Sequence, residues 1–290
     1  MQEPTLTPEG GFLRFRIDFS YDGTNFSGWA KQRDQRTIQG EMESALDPLT
    51  RNPIALQVAG RTDAGVHATA QVAHFDIPER DHNGIEWDVA DIAYRLNRML
   101  TEEIRIRSIT LAPKFFHARF SALSRSYVYK IADGGQLLPP LLRYDTASWY
   151  RPLDIAAMSG AIAPLLGEHD FAAFCKARIT GTTIRTLKEF TLERGEDNFI
   201  IARITADAFC HSMVRSLIGA AVCVGEGRFK PSWMKEVLDG RERIGESLVF
   251  PARGLTLTDV TYPKDEDLEA RLTITVRRRD EEMEEVEESE

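Results

Sequence analysis

Residues Leu13-Arg14-Phe15-Arg16-Ile17-Asp18-Phe19-Ser20-Tyr21 alternate apolar and polar side chains without a break. A period of two places Leu13, Phe15, Ile17, Phe19 and Tyr21 on one side of an extended chain, which predicts a half-buried antiparallel strand. Downstream, Thr37 stands where it can cap a helix with Ile38, Met42, Ala45 and Leu46 at helical spacing, ended or bent near Asp47-Pro48. Two strand-like segments follow, Ile54 to Ala59 and Ala70 to Ile77. Asp88 opens a second helix with an apolar stripe of Val89, Ile92, Ala93, Leu96, Met99 and Leu100, and Ile104 to Leu111 returns as a strand. The order is βαββαβ.

The second half repeats that order loosely. Tyr127 to Ala132 reads as a strand, Asp154 caps a helix closed by Gly167, and Ile184 to Leu192 and Phe199 to Ala206 alternate as strands. His211 to Val224 is a strongly apolar helix, Ser232 to Leu238 a short one, and Leu255 to Tyr262 a last strand. Two split-βαβ units in tandem predict an α+β chain of two related, ferredoxin-like domains with antiparallel sheets. The expected divisions are a flexible N-terminus over 1–11, a first domain over 12–112, a second over 113–263 and an extension over 264–290. Within the extension, Leu272 to Arg279 alternates weakly enough to add an edge strand, and the acidic end is expected to be disordered.

At 290 residues and 42% hydrophobic content the chain can bury a sizeable core. No apolar run approaches the ~20 residues that span a bilayer, and the N-terminus lacks the features of a signal peptide, so a cytoplasmic location is expected. Cys175, Cys210 and Cys223 are odd in number and lack a C-x-x-C pair, which argues against a disulfide framework or a cysteine zinc site. Buried free thiols are expected. Residues 280–290 carry eight acidic and no basic residues, and removing them from the formal −9 leaves −1 on residues 1–279. A nearly neutral body can still hold a basic cleft for a polyanion. Arginines cluster at Arg14 and Arg16, Arg33 and Arg36, Arg61, Arg119 and Arg125, Arg203 and Arg215, and part of this set is expected to face such a polyanion.

Between the second and third strands lies Gly60-Arg61-Thr62-Asp63-Ala64-Gly65-Val66-His67-Ala68. Glycines on both sides relieve the backbone where the chain reverses, so the turn can aim Asp63 at a ligand; the same residues also suit a plain hairpin. Asp63 with His67 and His74 leaves a metal-dependent hydrolase open, although metal ligands normally have tighter and more regular spacing.

Further blocks accompany this loop in a fixed order. They are Tyr21-Asp22-Gly23-Thr24-Asn25-Phe26-Ser27-Gly28-Trp29, Phe116-His117-Ala118-Arg119-Phe120-Ser121, Arg125-Ser126-Tyr127-Val128-Tyr129, Leu165-Leu166-Gly167-Glu168-His169-Asp170-Phe171, Phe209-Cys210-His211-Ser212-Met213-Val214-Arg215 and Gly254-Leu255. From about residue 12 to about 263 the series resembles the tRNA pseudouridine synthase A family. Departures from its pattern are Ala30-Lys31-Gln32 after the Gly-Trp pair and Thr256 where the family tends to have an aromatic.

The resemblance implies isomerisation of uridine to pseudouridine at positions 38–40 of the tRNA anticodon stem-loop, without metal or cofactor. It assigns the nucleophile to Asp63 and lays Tyr127 against the extruded base. Arg61, Arg119, Arg125, His211 and Arg215 become substrate-binding residues, and His211 and Arg215 are expected to share a face at a helix start. The resemblance further implies a homodimer in which one tRNA touches both subunits, and two domains meeting at a central RNA-binding cleft. A non-catalytic RNA-binding or RNA-folding protein on the same scaffold is the alternative.

Overall fold

β1 (Phe12–Tyr21) is the strand around which the first half is built. Phe15, Ile17, Phe19 and Tyr21 are all buried, as the alternation requires. In the computed structural model, which describes residues 6–176, 182–242 and 249–276, β1 lies between two antiparallel partners. It pairs with β3 (His67–Pro78) in the register Phe15↔Phe75 and Ile17↔Ala73, and with β4 (Ile104–Leu111) in the register Ile17↔Ile109. The two-residue β2 (Gln57–Val58) adds to β3, giving the order β4-β1-β3-β2. Being central, β1 also buries one polar residue. Arg14 is 2% exposed and forks onto both oxygens of Asp76 at 2.7 and 2.8 Å, while Nη1 donates to the Phe116 carbonyl at 2.9 Å. That guanidinium holds the fold together and leaves the set of arginines available to RNA.

Both helices of this half start where their caps predict. The Thr37 hydroxyl accepts from Gly40 N at 3.2 Å before α1 (Ile38–Thr50), and Asp88 accepts from Ala90 N and Asp91 N, both at 3.0 Å, before α2 (Val89–Met99). α1 does not stop at Asp47-Pro48. Proline in the last turn forfeits one backbone bond, and Thr50 Oγ1 donates to the Leu46 carbonyl at 3.0 Å before Arg51 ends the helix in the left-handed region.

The chain divides into two units, one running to Leu123 and taken up again at Asp259, the other spanning Ser124–Thr258. The boundary therefore falls after the Phe116–Ser121 block rather than at residue 113. That block belongs with the first unit because His117 and Phe116 pack against His74 of β3, with ring centroids at 4.6 and 6.3 Å.

The second unit contains β5 (Ser124–Ala132), β6 (Ala147–Ser148), α3 (Ile155–Ile162), β7 (Gly167–Asp170), β8 (Ile184–Arg194), β9 (Ile200–Ala206), α4 (Met213–Gly225), α5 (Trp233–Gly240) and the start of β10 (Leu255–Thr261). Its sheet runs β10-β5-β9-β8-β7, with β6 parallel to β5. β6 and β7 are too short for a period to register, and Gly167, expected to close a helix, opens β7 instead. α4 starts at Met213, so His211 lies outside it, behind Ser212 in the left-handed region. His211 and Arg215 therefore do not share a helical face.

Two further expectations are corrected. Cys175 and Cys210 form a disulfide, with Cα atoms 5.7 Å apart, and only Cys223 is a buried free thiol. The 310 turn ending at Phe174 and the approach to α4 are brought together in space, and Lys176 N donates to the His211 carbonyl at 3.0 Å beside the bridge. Residues 268–276 are helical instead of an edge strand, with Leu268 and Leu272 buried one turn apart. The rest of the proposed strand and the acidic run from 280 lie outside the described residues. No helix among the described residues is long and apolar enough to cross a membrane.

Candidate active site

The loop carrying Asp63 is held by the Tyr21–Trp29 block, and both belong to the first unit. Trp29 N donates to the Thr62 carbonyl at 3.0 Å, and Gly65 N donates to the Phe26 carbonyl at 3.3 Å. Two glycines make this contact sterically possible. A Cβ on Gly23 would stand 2.0 Å from the Val66 carbonyl oxygen, and one on Gly28 would stand 2.8 Å from the Thr62 carbonyl oxygen, at a backbone φ of +91°. Val66 N closes the turn on the Asp63 carbonyl at 3.2 Å, with Gly65 at φ +78°. The YDG and GW blocks and the GRTDAG loop are thus one construction written in two pieces of sequence.

A polar chain runs beneath the loop. Gln71, fully buried on β3, donates to the Gly60 carbonyl at 2.9 Å and to Tyr21 Oη at 3.2 Å, and Tyr21 Oη lies 2.8 Å from Thr62 Oγ1. Burial pushes the Tyr21 phenol up to about 12, so it stays protonated at neutral pH. At the far end of the loop, His67 Nδ1 accepts from Gly23 N at 3.1 Å. Along the loop itself Arg61 is exposed, Thr62 buried and Asp63 half-buried, so the charged residues sit on the accessible side.

Sequence reasoning missed Tyr21, Thr62 and Gln71 as parts of the site. A signal for Gln71 was present, since an uncharged polar residue within a nearly continuous apolar strand needs a specific partner.

Both histidines of the hydrolase alternative, His67 and His74, accept backbone hydrogen bonds, His67 from Gly23 as above, and His117 beside His74 is held in the same way. His74 Nδ1 accepts from Ala118 N at 3.1 Å, and burial with the nearby Arg14 charge holds its pKa well below the ordinary imidazole value. His117 accepts on Nδ1 from Arg119 N and Phe120 N, both at 3.2 Å, and the same causes lower it to about 3. His74 and His117 are neutral hydrogen-bond acceptors at pH 7. Among the described residues, no group of three His, Cys, Asp or Glu side chains could hold a metal. Arg119 is exposed at the end of this block, with its guanidinium 5.2 Å from the Phe120 ring centre.

In the second unit, Arg125 and Tyr127 are two residues apart on β5 and so face the same way. Arg125 is buried, and Nη1 donates to the Asp207 carbonyl at 2.8 Å. Tyr127 meets Phe209 edge-on, with centroids 5.2 Å apart and planes at 87°. Tyr129 donates to the Pro251 carbonyl and is pressed so closely by Gly254 that a Cβ there would stand 2.6 Å from its ring. Arg215 is half-buried at the start of α4, where Nε donates to the Phe250 carbonyl at 2.7 Å. Half-buried His211 lies just before that helix. The structure therefore gathers Arg61 and Asp63 on one loop of the first unit, with Arg119 on that unit's last block. Arg125, Tyr127, His211 and Arg215 line β5 and the approach to α4 in the second.

The family model described as tRNA pseudouridine synthase matches residues 19–121 and 161–263. A tRNA pseudouridine synthase A from Frankia casuarinae is 50% identical over 266 residues, covering 91% of this chain and 95% of the relative. One from Streptomyces avermitilis is 50% identical over 267 residues, covering 90% and 92%, and one from Mycobacterium leprae 45% over 273 residues, covering 91% and 94%. Among solved structures, a chain of a Cbf5-Nop10-Gar1 complex covers 86% of this chain, and 60% of its own length, at 10% identity and a TM-score of 0.33, a likeness that bears on neither fold nor function. Every block that builds the Asp63 loop falls within the aligned span, and the chain belongs to the tRNA pseudouridine synthase A family, isomerases that convert uridine in tRNA to pseudouridine.

Proposed function

We propose that the chain isomerises uridines at positions 38–40 of the anticodon stem-loop, with Asp63 as the nucleophile. The observation that carries this reading is the loop itself: backbone bonds from Trp29 and Gly65, and two glycines that admit no side chain, hold a half-buried carboxylate on its accessible side. Pre-organisation of this kind suits a group that must meet one reacting atom. The reaction breaks the bond from N1 to the ribose and re-forms the link through C5, so it needs no redox partner or donor. Asp63 supplies the attacking side-chain oxygen.

A stacked uridine must leave the helix before it can react. Tyr127 receives the extruded base, Arg61 and Arg119 contact the RNA from the first unit, and His211, Arg215 and Arg125 do so from the second. Arg125 contributes mainly by holding the Asp207 end of the segment that carries Phe209 and His211. The strand orders β4-β1-β3-β2 and β10-β5-β9-β8 support reading each unit as a split-βαβ fold. The working assembly is a homodimer in the cytoplasm.

Carbodiimide mapping of an unmodified tRNA transcript tests the reading, with wild type and Asp63→Ala incubated in EDTA. Stops at positions 38–40 with wild type alone are the expected result. No stops with either protein, despite retained tRNA binding, would favour the non-catalytic alternative.

A further inference from the structure

The polar chain under the loop has no role in the chemistry just described, and its cost is considerable. Tyr21, Thr62 and Gln71 are 4%, 7% and 0% exposed, so three polar side chains have been taken out of water on the inner side of the loop. An apolar trio of the same shape would avoid that desolvation. Gln71 Oε1 accepts from its neighbour Val72 N at 3.2 Å, which fixes the amide and directs Nε2 towards both the Gly60 carbonyl and Tyr21 Oη. Since Tyr21 Oη already accepts from Gln71, its own proton is available to Thr62 Oγ1. Thr62 is then held twice, by its side chain from below and by its carbonyl from Trp29 N. The next residue is Asp63.

We propose that Tyr21, Thr62 and Gln71 are positioning residues for the isomerisation: a hydrogen-bonded strut from β1 and β3 that sets where the Asp63 carboxylate stands. The inference rests on the reading of Asp63 as nucleophile. The strut works through Thr62, which is buried beneath the loop. A loop held only by its backbone bonds could tilt about the line from Gly60 to Gly65, and the bond from Tyr21 to Thr62 removes that freedom. Displacements of about 1 Å at a catalytic group cost on the order of a hundredfold in rate.

Tyr21→Phe keeps the ring and its packing and removes only the hydroxyl. It should lower kcat roughly ten- to a hundredfold while KM for tRNA stays within about twofold, because RNA contacts are untouched. Because the phenol stays protonated up to about 12, the loss should be constant between pH 6 and 9. Thr62→Val should reproduce it, Thr62→Ser should restore most of the rate, and the double variant Tyr21→Phe/Thr62→Val should be no slower than either single one. Wild-type kcat in Tyr21→Phe would overturn the proposal, as would equal rates for Thr62→Ser and Thr62→Val. Asp63→Asn in the same assay separates the two levels: activity retained there removes the nucleophile reading underneath, whereas an inactive Asp63→Asn with a fully active Tyr21→Phe removes the strut alone.

Discussion

The two units use the same strand order and spend one connection very differently. In the first, residues 59–66 join β2 to β3; in the second, residues 195–199 join β8 to β9, the strands in the equivalent places of the order β10-β5-β9-β8. The second connection is closed chiefly by its own turn, with a long bond from outside, Gln136 Nε2 to the Asn198 carbonyl at 3.5 Å. Gly195 N donates to the Phe199 carbonyl and Asn198 N to the Gly195 carbonyl, both at 2.9 Å, with Asn198 in the left-handed region at φ 61°. The first is anchored by distant residues at both ends, through Trp29, Phe26, Tyr21 and Gln71. The fold tolerates either connection, and the proposed chemistry falls to the one whose position is imposed from outside.

This contrast can be broken at several points. Asp63→Ala should reduce pseudouridine formation by ~10⁴-fold or more, as loss of a nucleophile does. Glu196→Ala or Asp197→Ala in the other connection should leave the rate within about twofold. A comparable loss from both would mean that the two connections are not functionally distinct.

Next in size is the disulfide, a feature of the second unit only. Cys175→Ser should cost about 2–4 kcal/mol in denaturant unfolding under oxidising conditions, and nothing under reduction, where wild type has lost the same constraint. Unchanged stability in both conditions would show that the bridge constrains neither state.

Paired glycine substitutions probe the steric half of the comparison. Gly23→Ala should destabilise by about 1–3 kcal/mol, because the added methyl meets a backbone oxygen that cannot turn aside. Gly195→Ala should cost less than about 1 kcal/mol, because the nearest atom is the flexible end of Ile201 at 2.8 Å. Thermal melts of the two variants decide it.

The last contrast concerns acid. His74 and His117 are buried neutral in the first unit, with pKa values below the unfolded value near 6.5. Below that value the unfolded chain binds more protons than the folded one, so stability falls as pH drops from about 6.5 towards 3. Each histidine contributes up to about 1.4 kcal/mol per pH unit in that window. Hydrogen exchange at pH 5 and pH 7 should show the acid loss in β1, β3 and the Phe116–Ser121 block. Equal loss in β8 and β9 would count against a cause local to the first unit.

Most strands were legible because a residue's neighbours two places along reveal which side is buried. Where that signal was short or mixed, reading failed. β6 and β7 have two and four residues, and the stretch after Pro263 contained both a weak alternation and the i, i+4 pair Leu268 and Leu272, of which packing selected the helical one. Asp63 stood out by its glycine-flanked turn and its family pattern. Gln71, Tyr21 and Thr62 did not, because nothing local tells a buried polar residue which carbonyl or hydroxyl it will meet.

The sequence by itself determined the alternating strands, the helix caps at Thr37 and Asp88, and the reaction class. These are properties of neighbouring residues or of motifs kept in order. Tertiary structure alone decided that Cys175 would meet Cys210 across 35 residues, that Arg14 would be a buried strut, and that the Tyr21–Trp29 block would cradle the Asp63 loop. Those pairings join segments far apart in the chain, and only the closing of the sheets and their loops brings them within hydrogen-bond or covalent reach.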